Sequence, residues 1–331
     1  MLISWNTTRA CNQACAHCYR DAGTRQEEEL TTAEGLDLIE EIARAGFRIL
    51  VLSGGEPLLR GDLYELIAQA LACGLRPVLG SNGTLIDAEV ALRLKQAGVA
   101  RVGISLDSPD PGPHDTFRGM SGAWEGAVAA MAHCREAGLP FQVHTTLTRR
   151  NQDRLEELID FSESVGAAAH HLFFLVPTGR GQDLADEIPS PEEYQSLLRR
   201  ILDRQRRTSM ELKPVCAPQF MRIASEENLP MRFTKGCLAG TSYCVIIPNG
   251  EVNPCPYLPL SAGNVREQPF SEIWQSSPLL RSLREDSLHG ACGVCEYQGL
   301  CGGCRARAYY ESGGDFLATD EWCTHAQSLS Y

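Results

Sequence analysis

The first half of the chain alternates short apolar runs with longer stretches whose apolar positions recur every three or four residues. Six runs read as strands: MLISWNTT, RILVLSGGEP, GLRPVLGSNG, ARVGISLDS, PFQVHTTLT and AHHLFFLVPTG. Between them lie helical patterns over Thr32–Ala45, Asp62–Ala72, Asp87–Ala97, Ala123–Ala137 and Asp153–Val165, with Thr32 as the expected first N-cap. Each is followed by a glycine (Gly46, Gly74, Gly98, Gly138 or Gly166), the residue expected where a helix stops in a left-handed turn. Six β-α units in register predict an α/β fold, a partial (βα)6 barrel of the TIM type. Its chemistry is expected at the C-terminal ends of the strands.

The pattern changes near Pro177. The stretch PTGRGQDLADEIPSPEEYQ is polar and rich in Pro and Gly, and a helix over Pro191–Arg207 follows it. After Gly236 the chain is rich in Cys, Gly and Pro and poor in periodic apolar positions. Such a segment needs staples to hold together, and metal is the obvious one. The expected organisation is a core over 1–185, a helical bridge over 186–232 and a small cysteine-rich domain over 233–331. There is no internal repeat and no low-complexity tract.

The 331 residues carry a net charge of −12, which leaves no basic footprint for nucleic acid. No apolar run approaches the roughly 18 residues of a membrane span, and the N-terminus lacks the layout of a signal peptide. A cytoplasmic location is expected. Against that background 14 cysteines are many, and in such a compartment they point to metal or redox chemistry. Three lie in the opening loop and nine at or after Cys216, with only Cys73 and Cys134 between them. Those two fall on helices and are expected to be buried small apolar residues.

The opening loop, TRACNQACAHCYRDAG, places Cys11, Cys15 and Cys18 in a C-x3-C-x2-C spacing. A structural zinc site wants four ligands, and His17 could supply a fourth. A cubane iron–sulfur cluster on three thiolates leaves one iron open, as a catalytic site does. Three more motifs stand at strand ends: SGGEP (Ser53–Pro57), SNG (Ser81–Gly83) and ISLDS (Ile104–Ser108).

Together these motifs resemble the radical S-adenosylmethionine (radical SAM) superfamily, over about Leu2 to Gly181. The resemblance implies that Cys11, Cys15 and Cys18 hold a [4Fe–4S] cluster whose open iron chelates SAM. It implies a 5′-deoxyadenosyl radical as the reactive product. Gly54, Gly55 and Glu56, followed by Pro57, would receive the methionyl ammonium. Ser105 and Asp107 would serve the ribose or methionyl part, with Asn82 and Thr146 beside them. His17 stands where the family often places an aromatic residue against the adenine.

The C-terminal cysteines fall as Cys237-x6-Cys244, GEVNPC ending at Cys255, CGVCEYQGLCGGC (Cys292, Cys295, Cys301, Cys304) and Cys323. This resembles the SPASM extension of radical SAM enzymes, with x2 between Cys301 and Cys304 where that pattern has x3. The resemblance implies one or two auxiliary [4Fe–4S] clusters. One would use Cys237, Cys244, Cys255 and Cys304, the other Cys292, Cys295, Cys301 and Cys323. Cys216 is left over as a non-ligand.

Only ten residues precede Cys11, so no N-terminal peptide-recognition domain is expected. Pro256 follows Cys255, where sulfatase maturases carry an acid. The stretches HHLFFLVPTGRG and Cys237–Trp274, with CEYQGLCGGCRARAY, resemble the alternative-heme-pathway enzymes, the AhbD-type heme synthases and their NirJ-like relatives. That resemblance implies a tetrapyrrole substrate. The leading reading is oxidative decarboxylation of iron-coproporphyrin III propionates to vinyls. The rivals are removal of side chains from a siroheme-derived ring, peptide maturation, and an iron–sulfur electron carrier or sensor. An electron donor such as ferredoxin or flavodoxin is implied too. Four substrate carboxylates call for arginine forks. Arg180 is the first candidate, then Arg118 and Arg149. His144, His170 and His171 could face the barrel interior.

Overall fold

A computed structural model describes residues 1–231, 233–285 and 288–328. Arg232, at the end of the expected bridge, and 329–331 lie outside them. The elements run β1 (Leu2–Asn6), α1 (Thr32–Arg44), β2 (Ile49–Ser53), α2 (Leu63–Ala72), β3 (Arg76–Ser81), α3 (Ala88–Gln96), β4 (Arg101–Ser105), α4 (Pro111–Arg118), α5 (Ala123–Glu136), β5 (Phe141–Leu147), α6 (Leu155–Ser164), β6 (Ala169–Phe174), α7 (Pro191–Gln205), β7 (Glu211–Val215), α8 (Gln219–Glu226), β8 (Tyr243–Ile246), β9 (Glu251–Asn253), β10 (Gly263–Asn264), α9 (Phe270–Ser276), α10 (Pro278–Arg284), α11 (Gly290–Val294), α12 (Arg305–Glu311) and α13 (Thr324–Ser328).

All strands join one sheet in the order β10-β9-β8-β1-β2-β3-β4-β5-β6-β7. From β8 through β7 every pairing is parallel, and β9 and β10 add an antiparallel edge. The expected α/β barrel-like core is present, and two strands beyond the six extend its parallel part. β7 comes from the expected bridge. It holds Lys213 and Pro214, a poor strand signature, but it ends the sheet, and an edge strand tolerates proline. β8 comes from the cysteine-rich segment and pairs with the free side of β1, Leu2 opposite Tyr243 and Ile3 opposite Cys244. Strands from all three segments thus share one sheet.

Alternation along the strands sorts side chains to two faces. One face packs on the helices in a core that includes Ile3, Trp5, Leu50, Leu52, Ile104 and Val143, all nearly or fully buried. The other lines a central cavity. The five stop glycines all take left-handed φ, between 63° and 86°. The first N-cap is Thr31 rather than Thr32, because Glu34 stands three residues after Thr31. Glu34 N donates to Thr31 Oγ1 at 3.3 Å, and Thr31 N donates to the Glu34 carboxylate at 2.7 Å. Helix α4 goes unseen in the sequence, since PGPHDTFR is short and holds two prolines. It bears directly on the site.

Candidate active site

The chain leaving β1 stays bonded to the chain leaving β2. Thr7 N donates to Ser53 O at 2.7 Å, Gly55 N to Thr8 O at 2.8 Å and Glu56 N to Ala10 O at 2.7 Å. This close approach is why Gly54 and Gly55 are glycines. A Cβ on Gly54 would collide with the Thr8 carbonyl and one on Gly55 with that of Ala10, and Gly54 also has φ +143°. The cysteine loop is closed by Cys11 N donating to Gly23 O (2.8 Å) and Gly23 N to Arg9 O (2.9 Å). Arg180 clamps it from β6's side. Its Nε donates to Cys15 O at 2.9 Å, an Nη to Ala22 O at 3.1 Å, and its backbone N to Cys18 O at 3.0 Å. The other Nη is buried without a hydrogen-bond partner, and the residue lines the cavity.

Each loop sulfur has a donor aimed at it. Gln13 N reaches Cys11 Sγ at 3.5 Å, Ala22 N reaches Cys18 Sγ at 3.4 Å, and an Arg118 Nη reaches Cys15 Sγ at 3.9 Å. Burial alone pushes the Cys11 and Cys15 thiols the wrong way for thiolates, Cys11 up to about 11. Sulfurs held by backbone and guanidinium donors in a desolvated loop fit a bound cationic cluster, whose charge would outweigh that burial.

Arg118 closes the far side of this arrangement. Its Nε donates to Asp107 Oδ2 at 2.6 Å, and both side chains are buried. Burial would raise the Asp107 carboxyl, but the Arg118 guanidinium, together with His17, His114 and the Thr146 amide, holds the group low. Asp107 Oδ1 accepts from Thr146 N at 2.7 Å, and His114 Nδ1 accepts from Asp107 N at 3.0 Å. Phe117, next to Arg118 on α4, accepts from Ala16 N at 2.9 Å and stacks on the His17 ring at 4.2 Å. Phe117 is a site residue that motif reading missed; only its position inside HDTFRG signals it. His17 lines the cavity, with its Nδ1 buried and unpartnered, and burial takes it down to about 3.

Glu56 is fully buried. Its carboxylate accepts from Ser81 Oγ (3.0 Å), Asn82 N (2.9 Å) and Leu58 N (3.2 Å), and burial raises it to about 7. It therefore ties β2 to β3, and Pro57 opens the short turn that it caps. Asn82 bonds Asn12 and Thr84, linking the β3 end to the cysteine loop. Ser105 and Thr146 line the cavity.

The three strand histidines part company. His144 and His171 line the cavity, stacked at 5.4 Å, with Gln142 Nε2 2.6 Å from His144 Nε2. A Cβ on Gly103 would meet the His144 ring, so that glycine makes its berth. His170, one residue out of phase, points into the helix layer, where its ring nitrogens meet Ser162 Oγ (3.1 Å) and Thr145 Oγ1 (2.8 Å). Burial lowers it to about 3. Between pH 6.5 and 3 the unfolded chain therefore binds a proton that the folded chain refuses. Stability should fall with falling pH across that window, by up to about 1.4 kcal/mol per pH unit from this group. His170→Gln should flatten the acid side of the stability–pH curve by about one proton, measured by urea unfolding at stepped pH. Arg149 is exposed and pairs with Glu193 at 3.2 Å, outside the cavity.

The cavity holds about 430 Å³. Lys213, which sequence reasoning missed, stands on its wall beside His171; register with the histidine strand is the signal that places it there. Cys216, Cys237, Cys255 and Cys304 line the same cavity. Burial pushes the Cys216 thiol up, and the neighbouring thiols of Cys304, Cys255 and Cys237 push it further. Cys292, Cys295, Cys301 and Cys323 surround a second, smaller hollow. There Asp320 N reaches Cys292 Sγ at 3.5 Å and Tyr297 N reaches Cys295 Sγ at 3.4 Å, donors that again suit cluster sulfurs.

Cys244 departs from expectation. It is fully buried in the helix-facing core and does not line the cavity. Its strand neighbour Tyr243 faces the cavity, so alternation turns Cys244 to the other side. The structure brings Cys216, expected to stand apart, to the place from which Cys244 is absent.

Asp320 joins the two cysteine groups. Its Oδ2 accepts from Cys304 N (2.7 Å), Gln219 Nε2 (2.7 Å) and Arg307 (2.8 Å), while its own N reaches Cys292 Sγ. Arg307, equally buried, also donates to the Cys216 carbonyl and to Asp320 Oδ1 (3.0 Å).

Among known families, the radical SAM superfamily matches residues 5–162, and SPASM, an iron–sulfur cluster-binding domain, matches 237–304. The chain belongs to the radical SAM superfamily, as an enzyme with a SPASM-type extension. The solved structure of Streptococcus suis SuiB shares the fold, with a TM-score of 0.76 at 15% identity over 98% of this chain and 77% of that one. Within the superfamily the sequence falls in the AhbD-like branch. It is 43% identical to the AdoMet-dependent heme synthase of Methanosarcina barkeri, over 98% of this chain and 96% of the relative. It is 45% identical to that of Nitratidesulfovibrio vulgaris, over 98% and 92%. Radical SAM chemistry in heme biosynthesis follows from these relationships. Among the described residues no helix is long and apolar enough to cross a membrane.

Proposed function

We propose that this enzyme oxidatively decarboxylates propionates of iron-coproporphyrin III to vinyl groups. One observation carries the reading: a single cavity is lined at one side by Cys11, Cys15 and Cys18 and at another by Cys237, Cys255 and Cys304. A substrate bound there lies between a radical source and an electron acceptor. Its volume sits within the roughly 300–1,000 Å³ typical of small-molecule sites. The identity to AdoMet-dependent heme synthases over nearly the whole chain supports a tetrapyrrole substrate.

Cys11, Cys15 and Cys18 would hold a [4Fe–4S] cluster, and two auxiliary clusters would sit on the two C-terminal cysteine groups. With SAM bound and an electron from a donor such as ferredoxin or flavodoxin, the first cluster supplies a 5′-deoxyadenosyl radical. Each propionate then loses one hydrogen atom from its β-carbon, carbon dioxide, and one electron. Arg180 and Arg118 set the cysteine loop against the cavity. His17, on Phe117, offers a ring face to the adenine, and Ser105 and Thr146 offer hydroxyls to the ribose or methionyl part. His144 and His171 form a flat aromatic wall. Lys213 and the unpartnered Arg180 Nη present positive charge to substrate carboxylates.

Lys213→Met should raise KM for the porphyrin about tenfold while changing the uncoupled cleavage of SAM little, measured in steady state under anaerobic conditions. A buried charge pairing lost from a binding site has about that effect. The reading itself is tested by anaerobic turnover of reconstituted protein with SAM, dithionite and iron-coproporphyrin III. Stepwise loss of two carboxyl groups, seen by mass spectrometry, is expected. Turnover of a siroheme-derived tetrapyrrole, with iron-coproporphyrin III unchanged, would replace it with the side-chain-removal reading.

A further inference from the structure

Three C-terminal cysteines on the cavity, Cys237, Cys255 and Cys304, cannot by themselves give every iron of a cubane a protein thiolate. Cys244, the expected fourth, is on the wrong face of β8. We propose that Cys216 is the fourth thiolate of the cavity-facing auxiliary cluster. This rests on reading the C-terminal cysteines as iron–sulfur ligands and deepens it. Cys216 lies outside both matched family segments, 5–162 and 237–304.

Four observations converge on it. Cys216 follows β7 directly, at the C-terminal end of a barrel strand, where this fold places its chemistry. It packs, with Cys255, against the buried cluster that contains Cys304, and Gly236 and Cys237 line the same cavity. Gly236 approaches Pro218 so closely that a Cβ would meet the Pro218 carbonyl, which locks segment 216–218 against segment 236–237. Cys216 also takes a left-handed backbone, φ 59°, at a non-glycine residue. That conformation costs on the order of 1–2 kcal/mol and is kept where the surroundings enforce it. The enforcement is visible: Arg307 holds the Cys216 carbonyl, and through Asp320 the same guanidinium is linked to the Cys304 amide. One buried ion pair thus sets two of the four thiols. With Cys216 bound, this cluster has no open iron. It is closed to substrate ligation, in contrast to the cluster on Cys11, Cys15 and Cys18.

The test uses the full chain carrying Cys11→Ala, Cys15→Ala and Cys18→Ala, so that only auxiliary clusters remain, reconstituted anaerobically. Iron, sulfide and the EPR spectrum of the reduced protein are read. Adding Cys216→Ser should lower iron by about half, as two clusters become one, or shift the g-values of one cluster. Cys304→Ser should do the same, and Cys244→Val should do neither. Parental iron and EPR in Cys216→Ser, or a loss in Cys244→Val, would overturn the assignment. If the background variant binds no iron at all, the reading of the C-terminal cysteines falls, and the assignment with it. Should Cys216→Ser fail to fold, alkylation of the unmutated chain decides. Cys216 should be labelled in cluster-free protein and protected after reconstitution; equal labelling in both overturns the proposal.

Discussion

Asp320→Ala is expected to cost the fold about 3–5 kcal/mol and to strip iron from both C-terminal cysteine groups. The energetic part follows from Arg307, which would keep its charge in a site with almost no solvent contact and lose its carboxylate. Breaking a buried pair on one side costs that much because the survivor is uncompensated. The metal part follows from geometry. Asp320 accepts the Cys304 amide with its side chain, and its own amide points at Cys292 Sγ. Loss of such supporting contacts typically weakens metal affinity by 10–100-fold. Pairing Asp320→Ala with Arg307→Met should recover part of the stability, since no lone charge then remains. Thermal unfolding and iron analysis of the single and double variants check both parts. A double variant no more stable than the single one would show that the ion pair is not the source of the loss.

Asp107→Asn should have the second large effect. It leaves Arg118 buried without a counter-charge, while preserving side-chain size and the oxygen that accepts from Thr146 N. The same guanidinium faces Cys15 Sγ, so any shift of Arg118 reaches the loop cysteines. Stability should fall by about 3–5 kcal/mol, and 5′-deoxyadenosine formation by 10–100-fold. Single-turnover assays of SAM cleavage measure the second quantity without reference to the porphyrin. Unchanged cleavage in a destabilised variant would confine Asp107 to the fold.

The parts of this site that could be read from the sequence are those whose chemistry is local. The C-x3-C-x2-C loop and the GGEP turn declare themselves because three thiols and two adjacent glycines must lie within a few residues of one another. Alternating strands and glycine-stopped helices likewise need only short windows. What could not be read depends on register between distant strands. Nothing near Cys244 shows that β8 pairs with β1, and that single pairing decides which way the thiol points. Cys216 could be placed only once β7 was known to end at the cavity. Arg118 and Arg180 stand out in sequence as charges near the site. Their partners, the Asp107 carboxylate and the carbonyls of Cys15 and Ala22, are fixed by folding. Phe117 lay hidden because two prolines mask a short helix.

The most direct test of the central claim follows the hydrogen atom. Iron-coproporphyrin III deuterated at the β-carbons of its propionates is turned over anaerobically with SAM and reductant, and the 5′-deoxyadenosine is weighed by mass spectrometry. The proposed function predicts one deuterium in the deoxyadenosine for each vinyl group formed. Unlabelled deoxyadenosine, released while the porphyrin keeps all its carboxyl groups, would contradict it.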